Sequence, residues 1–161
     1  MLRQTFERDL RRLQDEVLAL GSMVERALAE SVDALKRRDL TAAQRIIAGD
    51  REVNAKRFAI ESEVLALIAT QQPMASDLRV LAAVLETATE LERIGDYAKG
   101  ISRISQMIGE KPLIKPLVDI PRMSDKALDM LRRALEAFVR QDVEAARAIP
   151  KEDDEVDALY N

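Results

Sequence analysis

The stretch ATQQPMASDLR, residues 69–79, separates two long amphipathic segments and decides the fold. Apolar side chains recur every three or four residues over residues 40–70, and they do so again over residues 74–108. Pro73 cannot continue the first of these helices, but its fixed backbone suits the start of the second. The sequence therefore predicts two helices that reverse direction at Pro73.

A similar segment precedes them, over residues 3–36. Its apolar residues step by three and four, as one face of a helix requires: Leu10, Leu13, Val17, Leu20, Val24, Ala27, Leu28, Val32 and Leu35. Arg37 and Arg38 suit the end of that helix, and Asp39 suits the N-cap of the next. Three such helices joined by short turns cannot each bury an apolar face alone. An all-α fold is predicted, with residues 1–108 forming an antiparallel three-helix bundle.

A linker and a partial repeat follow this bundle. Residues 109–121 contain one glycine and three prolines, a composition typical of a linker. Residues 122–161 then resemble the first unit, because residues 28–55 and 131–158 are identical at eleven of 28 positions at an offset of 103. Composition alone would give roughly two or three identities. Coincidence between two alanine-rich hairpins is the alternative, but we favour a duplication whose second copy is incomplete here.

An incomplete second repeat leaves an apolar stripe without cover from its own helices: Leu128, Leu131, Leu135 and Phe138. The stripe must pack on the first bundle, on another subunit or on residues outside this chain. Because exposed apolar patches are seldom left to water, we expect a homodimer. On repeat logic we also expect the natural chain to continue by roughly fifty to sixty residues.

The residue types that are missing exclude several classes of function. Without Cys or His, the chain cannot build a thiol nucleophile, a Ser-His-Asp triad or a Cys/His zinc site. Its net charge of −4, with both signs interspersed, argues against a nucleic-acid surface built on bulk charge. The N-terminus lacks the apolar core of a signal peptide, and no uncharged stretch is long enough to span a bilayer. We therefore expect a cytoplasmic protein.

Acidic residues one helical turn apart are the strongest candidates for a functional site. Glu92 and Asp96 share one helix face, Asp153 and Asp157 form a second pair, and Asp50 has an asparagine at the same spacing. Clustered carboxylates repel unless a metal ion or basic side chains balance them. Any metal here would need oxygen ligands. The alternative is an ordinary solvated face balanced by Arg93, Lys99 or Arg103.

A second candidate lies directly after the turn at Pro73. Asp77 and Arg79 stand in the first turns of the third helix, where they could dock a partner protein. The alternative is local helix chemistry, in which Asp77 complements the helix dipole and Arg79 pairs with a neighbouring acid.

Together, QQPMASDLR at residues 71–79 and LERIGD at residues 91–96 resemble the motifs of the PhoU family, the bacterial regulators of phosphate uptake. The resemblance implies tandem three-helix bundles whose acidic motifs bind metal ions or small metal clusters. It implies a divalent or iron-type ion, of unknown identity, at three residues of the first repeat and two of the second: Asp50, Glu92, Asp96, Asp153 and Asp157. The chain departs from the family pattern at Asn54, which replaces a second acid, and in lacking the third helix of the second repeat.

The resemblance also implies a function. It indicates a non-enzymatic negative regulator of phosphate uptake and phosphate-starvation signalling, with the ATPase of the phosphate ABC transporter and a sensor histidine kinase as partners. Two alternatives stay open. One is a helical adaptor or self-assembly protein without metal. The other is a di-metal carboxylate enzyme, which is disfavoured because such sites usually need Glu-x-x-His pairs and this chain has no histidine.

Overall fold

The computed structural model describes residues 2–160, and every regular element in that range is helical. The elements are α1 (Leu2–Arg37), α2 (Leu40–Gln71), α3 (Ala75–Ile108), α4 (Asp119–Arg140), α5 (Val143–Ala148), a 3-10 turn (Ile149–Glu152) and α6 (Asp153–Tyr160). The predicted all-α fold is confirmed, and α1–α3 lie within one or two residues of the bounds expected from periodicity.

Helices α1, α2 and α3 form an up-down-up bundle. The start of α1 lies beside the start of α3, where Arg3 binds Asp77, whereas the end of α2 lies beside the start of α1, where Gln71 donates to Asp9. Nine buried positions of α3 are spaced alternately by four and three residues, the period of a coiled-coil seam: Asp77, Leu81, Val84, Ala88, Leu91, Gly95, Ala98, Ser102 and Ser105. Helix α3 thus contacts α1 and α2 along its whole length.

The turn between the first two helices of a repeat is built twice. Arg38 and Gln141 both adopt a left-handed backbone, with φ of 60° and 55°. The next residue, Asp39 or Asp142, then caps the following helix, and its carboxylate accepts a 2.9 Å hydrogen bond from the backbone N–H three residues on. The two turns have the offset of 103 residues found in the sequence, so they share their backbone geometry as the predicted duplication requires.

The first turn also holds the linker. The Arg38 guanidinium donates to the carbonyl oxygen of Gly109 at 2.7 Å and to that of Lys111. The residues that follow α3 are therefore attached to the turn between α1 and α2.

The second repeat departs from the expected bounds at both ends. Helix α4 begins at Asp119, so the last residues of the predicted linker are helical, and Pro121 lies in the first turn, where a missing N–H costs nothing. The helix that should follow the second turn is broken into α5, a 3-10 turn and α6. Pro150 lies at the break, at the position equivalent to Ile47 of the continuous α2.

Packing of α4 on α1 covers the apolar stripe, so the first bundle is the one of the three expected covers that the structure shows. Leu128 and Leu135 are buried, and Leu131 and Phe138 pack against the core of the first bundle. Gly21 makes this contact close, since a Cβ built there would lie only 2.4 Å from Leu135 Cδ1. The stripe therefore gives no reason for a dimer, which stays a prediction.

The paired caps allow a direct test of how strongly each repeat is coupled to the core. Replacing an N-cap aspartate by alanine costs about 1 kcal/mol in a helix that is part of a packed core. We expect Asp39→Ala to lower the free energy of unfolding by about this amount, because α2 is packed along its length. The matched Asp142→Ala should cost clearly less, because α5 has no buried residue. Urea denaturation measures both, and equal losses would contradict this view of the second repeat.

Candidate functional site

The predicted acidic residues of the first repeat meet at one contact between α2 and α3. Asp50, on α2, is only 5% exposed. Its Oδ2 accepts a hydrogen bond from Lys99 Nζ of α3 at 2.8 Å and another from Asn54 Nδ2 at 3.2 Å. Its Oδ1 is also buried and has no hydrogen-bond partner among the described protein atoms. Lys99 was one of the basic residues expected to balance the acids, and it balances Asp50.

Gly95 explains how α3 comes so close to the buried carboxylate. A Cβ built on Gly95 would lie 3.1 Å from Val53 Cγ1 and 3.7 Å from Asp50 Oδ1. The first of these distances is tighter than ordinary van der Waals contact. Glycine in a helix interior costs about 1 kcal/mol relative to alanine. Here that cost allows α2 and α3 to approach each other beside the acid.

Glu92 and Asp96 lie on α3 beside the same contact, and we call Asp50, Glu92 and Asp96 the acidic corner. Glu92 is half-buried and Asp96 is exposed. Burial raises the pKa of Glu92 above its usual 4.5, and the negative charge of Asp96 raises it further. The Arg57 guanidinium opposes the rise, and Asp50 adds to it. The three acids therefore share one electrostatic environment.

The acids do not form a cluster of metal-ligand type. Within residues 2–160, no group of three or more Asp or Glu side chains is arranged so that it could hold one metal ion. In the second repeat, Asp153 and Asp157 lie one turn apart on α6, and both are exposed. Asp153 occupies the position equivalent to Asp50, but α6 packs only on α4 and the 3-10 turn in the described chain. The metal assignment stays a prediction for all five residues.

A cleft of about 540 Å³ lies beside the acidic corner and was not predicted from the sequence. Its lining includes Asp50, Gly49 and Gly95 together with charged residues of α1 and α2. Arg26 and Arg45 contribute positive charge to this lining, and neither has an ion pair in the part of the chain that the structure describes. Charged residues are common on helix surfaces, so the sequence offered no signal that these two face one cleft.

Asp77 and Arg79, the predicted docking residues, have different environments. Asp77 is buried and accepts hydrogen bonds from Arg3 Nη1 at 2.6 Å and from the backbone N–H of Met74 at 3.1 Å. The bond from Arg3 lowers the pKa of the Asp77 carboxyl. Arg79 is exposed and lies at an apolar groove of about 420 Å³ between α3 and α4 that also includes Phe138. Asp77 thus stabilises the fold, and Arg79 is exposed on the surface.

The second repeat also contains a network of charged side chains that was not predicted from the sequence. Arg133 donates to both carboxylate oxygens of Glu152, at 2.7 and 2.6 Å, and Lys126 donates to Glu152 Oε2 at 2.6 Å. The hydrogen bonds from Arg133, and then from Lys126, lower the pKa of Glu152 to about 2. The network fastens the 3-10 turn to α4. Glu152 corresponds to Gly49 in the first repeat, so the repeat gave no signal for it.

Comparisons with known proteins agree with this architecture. A family model described as the PhoU domain matches residues 17–105 and 120–161. A phosphate-specific transport system accessory protein PhoU homolog from Clostridium acetobutylicum is 37% identical over 164 residues, which cover 99% of this chain and 74% of that protein. The accessory protein PhoU of Escherichia coli is 36% identical over 96% of this chain and 64% of its own length.

The solved structures give the same result. The crystal structure of the phosphate transport system regulatory protein PhoU from Streptococcus pneumoniae matches with a TM-score of 0.89 and 30% identity, over 96% of this chain and 73% of that one. The chain therefore spans between 64% and 74% of the length of these relatives. No helix within residues 2–160 is long and apolar enough to cross a membrane.

The raised pKa of Glu92 predicts a pH-dependent effect on stability. A carboxyl whose pKa is higher in the folded state contributes stability fully below its unfolded value of 4.5, and loses that contribution as pH rises through the folded value. We therefore expect Glu92→Gln to be more stable than the parent at pH 7, with the difference shrinking towards pH 4. Urea denaturation at the two pH values measures this. Glu90→Gln is the control, because Glu90 is exposed and bound to Arg93, and it should give no gain. An equal effect of Glu92→Gln at both pH values would contradict the assignment.

Proposed function

Because the chain belongs to the PhoU family, we propose that it restrains phosphate uptake and phosphate-starvation signalling by docking onto other proteins. The observation that carries this proposal is that the family match covers most of the first bundle, residues 17–105, and the second repeat, residues 120–161. It is supported by relatives whose names assign them to the phosphate-specific transport system.

The partners we propose are the ATPase of the phosphate ABC transporter and a sensor histidine kinase. Both have parts in the cytoplasm, where we place this protein. We propose that it acts without catalysing a reaction and that it works as a homodimer. The absence of Cys and His from the sequence is consistent with docking, because catalysis by a thiol or by an imidazole has no residue to use.

Within this proposal, Arg79 is the docking residue. It is exposed on α3 and has no ion pair with any residue from 2 to 160, whereas Asp77 is occupied by Arg3 inside the fold. It also lies at the mouth of the apolar groove between α3 and α4. An apolar surface with a free guanidinium at its edge suits a partner segment that carries an acid beside apolar side chains.

The metal that the family resemblance implies does not fit the surroundings of Asp50 as they stand. Lys99 and Asn54 both donate to the same carboxylate oxygen, so an ammonium and an amide N–H occupy the side from which a metal would bind. Glu92 and Asp96 offer a pair of carboxylates without a third. No step of the proposed function is routed through a metal.

A charge reversal tests the docking proposal. We expect Arg79→Glu to weaken binding to the purified transporter ATPase by about tenfold or more, or about 1.4 kcal/mol, because it places an acid where the partner carries one. Arg103→Glu is the matched control: it lies on the same helix, is exposed and is likewise unpaired within the described residues. It should bind as the parent does. Surface-immobilised ATPase and a titration of each variant give the affinities.

The same variants distinguish a failure of the proposed function from a failure of the role assigned to Arg79. In an Escherichia coli strain from which its own PhoU has been removed, the parent chain should lower phosphate uptake and Arg103→Glu should do the same. If the parent chain neither binds the ATPase nor lowers uptake, the proposed function is wrong. If Arg79→Glu behaves like the parent in both assays, only the role of Arg79 is wrong.

A further inference from the structure

We propose that Lys99 is the resident cation of the acidic corner and holds the place that a metal ion would take between α2 and α3. This chain therefore closes its first bundle without metal. The inference concerns the chain's own residues and is independent of the docking proposal.

The strongest support is the burial of the pair. The Asp50 side chain is 4% exposed and that of Lys99 is 27% exposed, and their charged atoms are 2.8 Å apart. A carboxylate removed from water needs a counter-charge, because an unpaired one costs several kcal/mol. Lys99 supplies that charge from the helix opposite. The ion pair therefore joins α2 to α3 beside Gly95, where the absence of a Cβ lets the two helices approach closely.

The donor set around Asp50 fits an ammonium. Lysine brings three N–H donors and a single positive charge, and Asn54 adds an amide N–H to the same oxygen. A metal ion would need the opposite arrangement, with the carbonyl oxygen of Asn54 turned inward and Oδ2 released from Lys99. The remaining oxygen of Asp50, Oδ1, lies beside Gly95 and is closed off from solvent.

The acidic corner already contains positive charge. Three acids face it, and Lys99 and Arg57 provide positive charge, with Arg57 shared with Glu61 at 3.0 Å. A divalent ion added beside Lys99 would meet like charge within a few ångströms, which is unfavourable. Removal of the lysine ammonium would leave a buried, uncompensated carboxylate next to Glu92 and Asp96. The three acids do not converge on one ion while the ammonium is present, so we expect Glu92 and Asp96 to turn towards the vacancy and to bind a metal there together with Asp50.

The experiment compares metal uptake with and without the lysine. The background is Asp153→Asn with Asp157→Asn, which removes the acidic pair of the second repeat. Each protein is stripped with EDTA, and Mn²⁺ is then titrated by calorimetry and counted by elemental analysis. In this background we expect no bound Mn²⁺, and we expect the Tm to be the same in EDTA and in about 1 mM MnCl₂.

Lys99→Gln should change both readouts. We expect its Tm in EDTA to fall by roughly 5–10 °C, since a buried carboxylate loses its counter-charge. Mn²⁺ should restore most of this loss and bind at about one ion per chain. Adding Asp50→Asn to Lys99→Gln should abolish the uptake. Lys36→Gln is the control: Lys36 is exposed, has no ion pair in the described part of the chain and should leave both readouts unchanged.

Two results would overturn the inference. One is that the background protein, which keeps Lys99, binds Mn²⁺ and that Asp50→Asn abolishes this binding. The other is a folded Lys99→Gln protein that takes up no Mn²⁺. If Lys99→Gln does not fold, Lys99→Arg keeps the charge and should give a folded protein with a Tm insensitive to Mn²⁺. Mn²⁺ uptake by that variant would also count against the proposal.

Discussion

The structure depends on the burial of one continuous seam of α3 between α1 and α2. Nine residues at alternating intervals of four and three lie in this seam. After Asp77 its first half is formed mainly by the larger aliphatic side chains of Leu81, Val84 and Leu91, and its second half by Gly95, Ala98 and two serines. The large residues provide apolar burial, and the small ones bring the helices close enough for side-chain hydrogen bonds and ion pairs. The acidic corner lies where the seam changes from one kind to the other. Its position is therefore a result of packing.

The two repeats share a turn but differ in what covers them. The left-handed residue, the capping aspartate and the backbone hydrogen bonds of the turn recur, and the equivalent hydrogen-bond distances differ by no more than about 0.1 Å. In the first repeat α3 then buries the helix that follows the turn. In the second, Ala146 and Asp153 are exposed where their counterparts Ala43 and Asp50 are buried. The sequence of a hairpin thus specifies its turn locally, whereas the environment of its acids depends on a third helix.

Local physics accounts for the features that could be predicted from the sequence. The 3.6-residue period, the proline at the second turn and the aspartate caps each act within a few residues, so three helices and their ends followed from the chain alone. The contacts that define the site join residues far apart. Lys99 and Asp50 are 49 residues apart, and Arg3 and Asp77 are 74 apart. Which of several nearby cations reaches an acid depends on helix rotation, and composition does not encode rotation. The contact of α4 with α1 depends in the same way on Gly21, a glycine that has no distinctive sequence context.

The left-handed residue of the first turn has a mechanical consequence. Glycine would adopt φ of 60° without strain, yet the chain has Arg38 there, and only a long basic side chain can reach the carbonyl oxygens at the end of α3. The turn therefore accepts a strained backbone at Arg38, and the Arg38 side chain forms hydrogen bonds that glycine could not make. The segment that leads into α4 is therefore anchored at two places, by its own covalent connection to α3 and by a guanidinium from the neighbouring turn. The first three residues after α3 are therefore fixed relative to the α1–α2 turn, and only the residues from 112 to 118 are left to span the distance to α4.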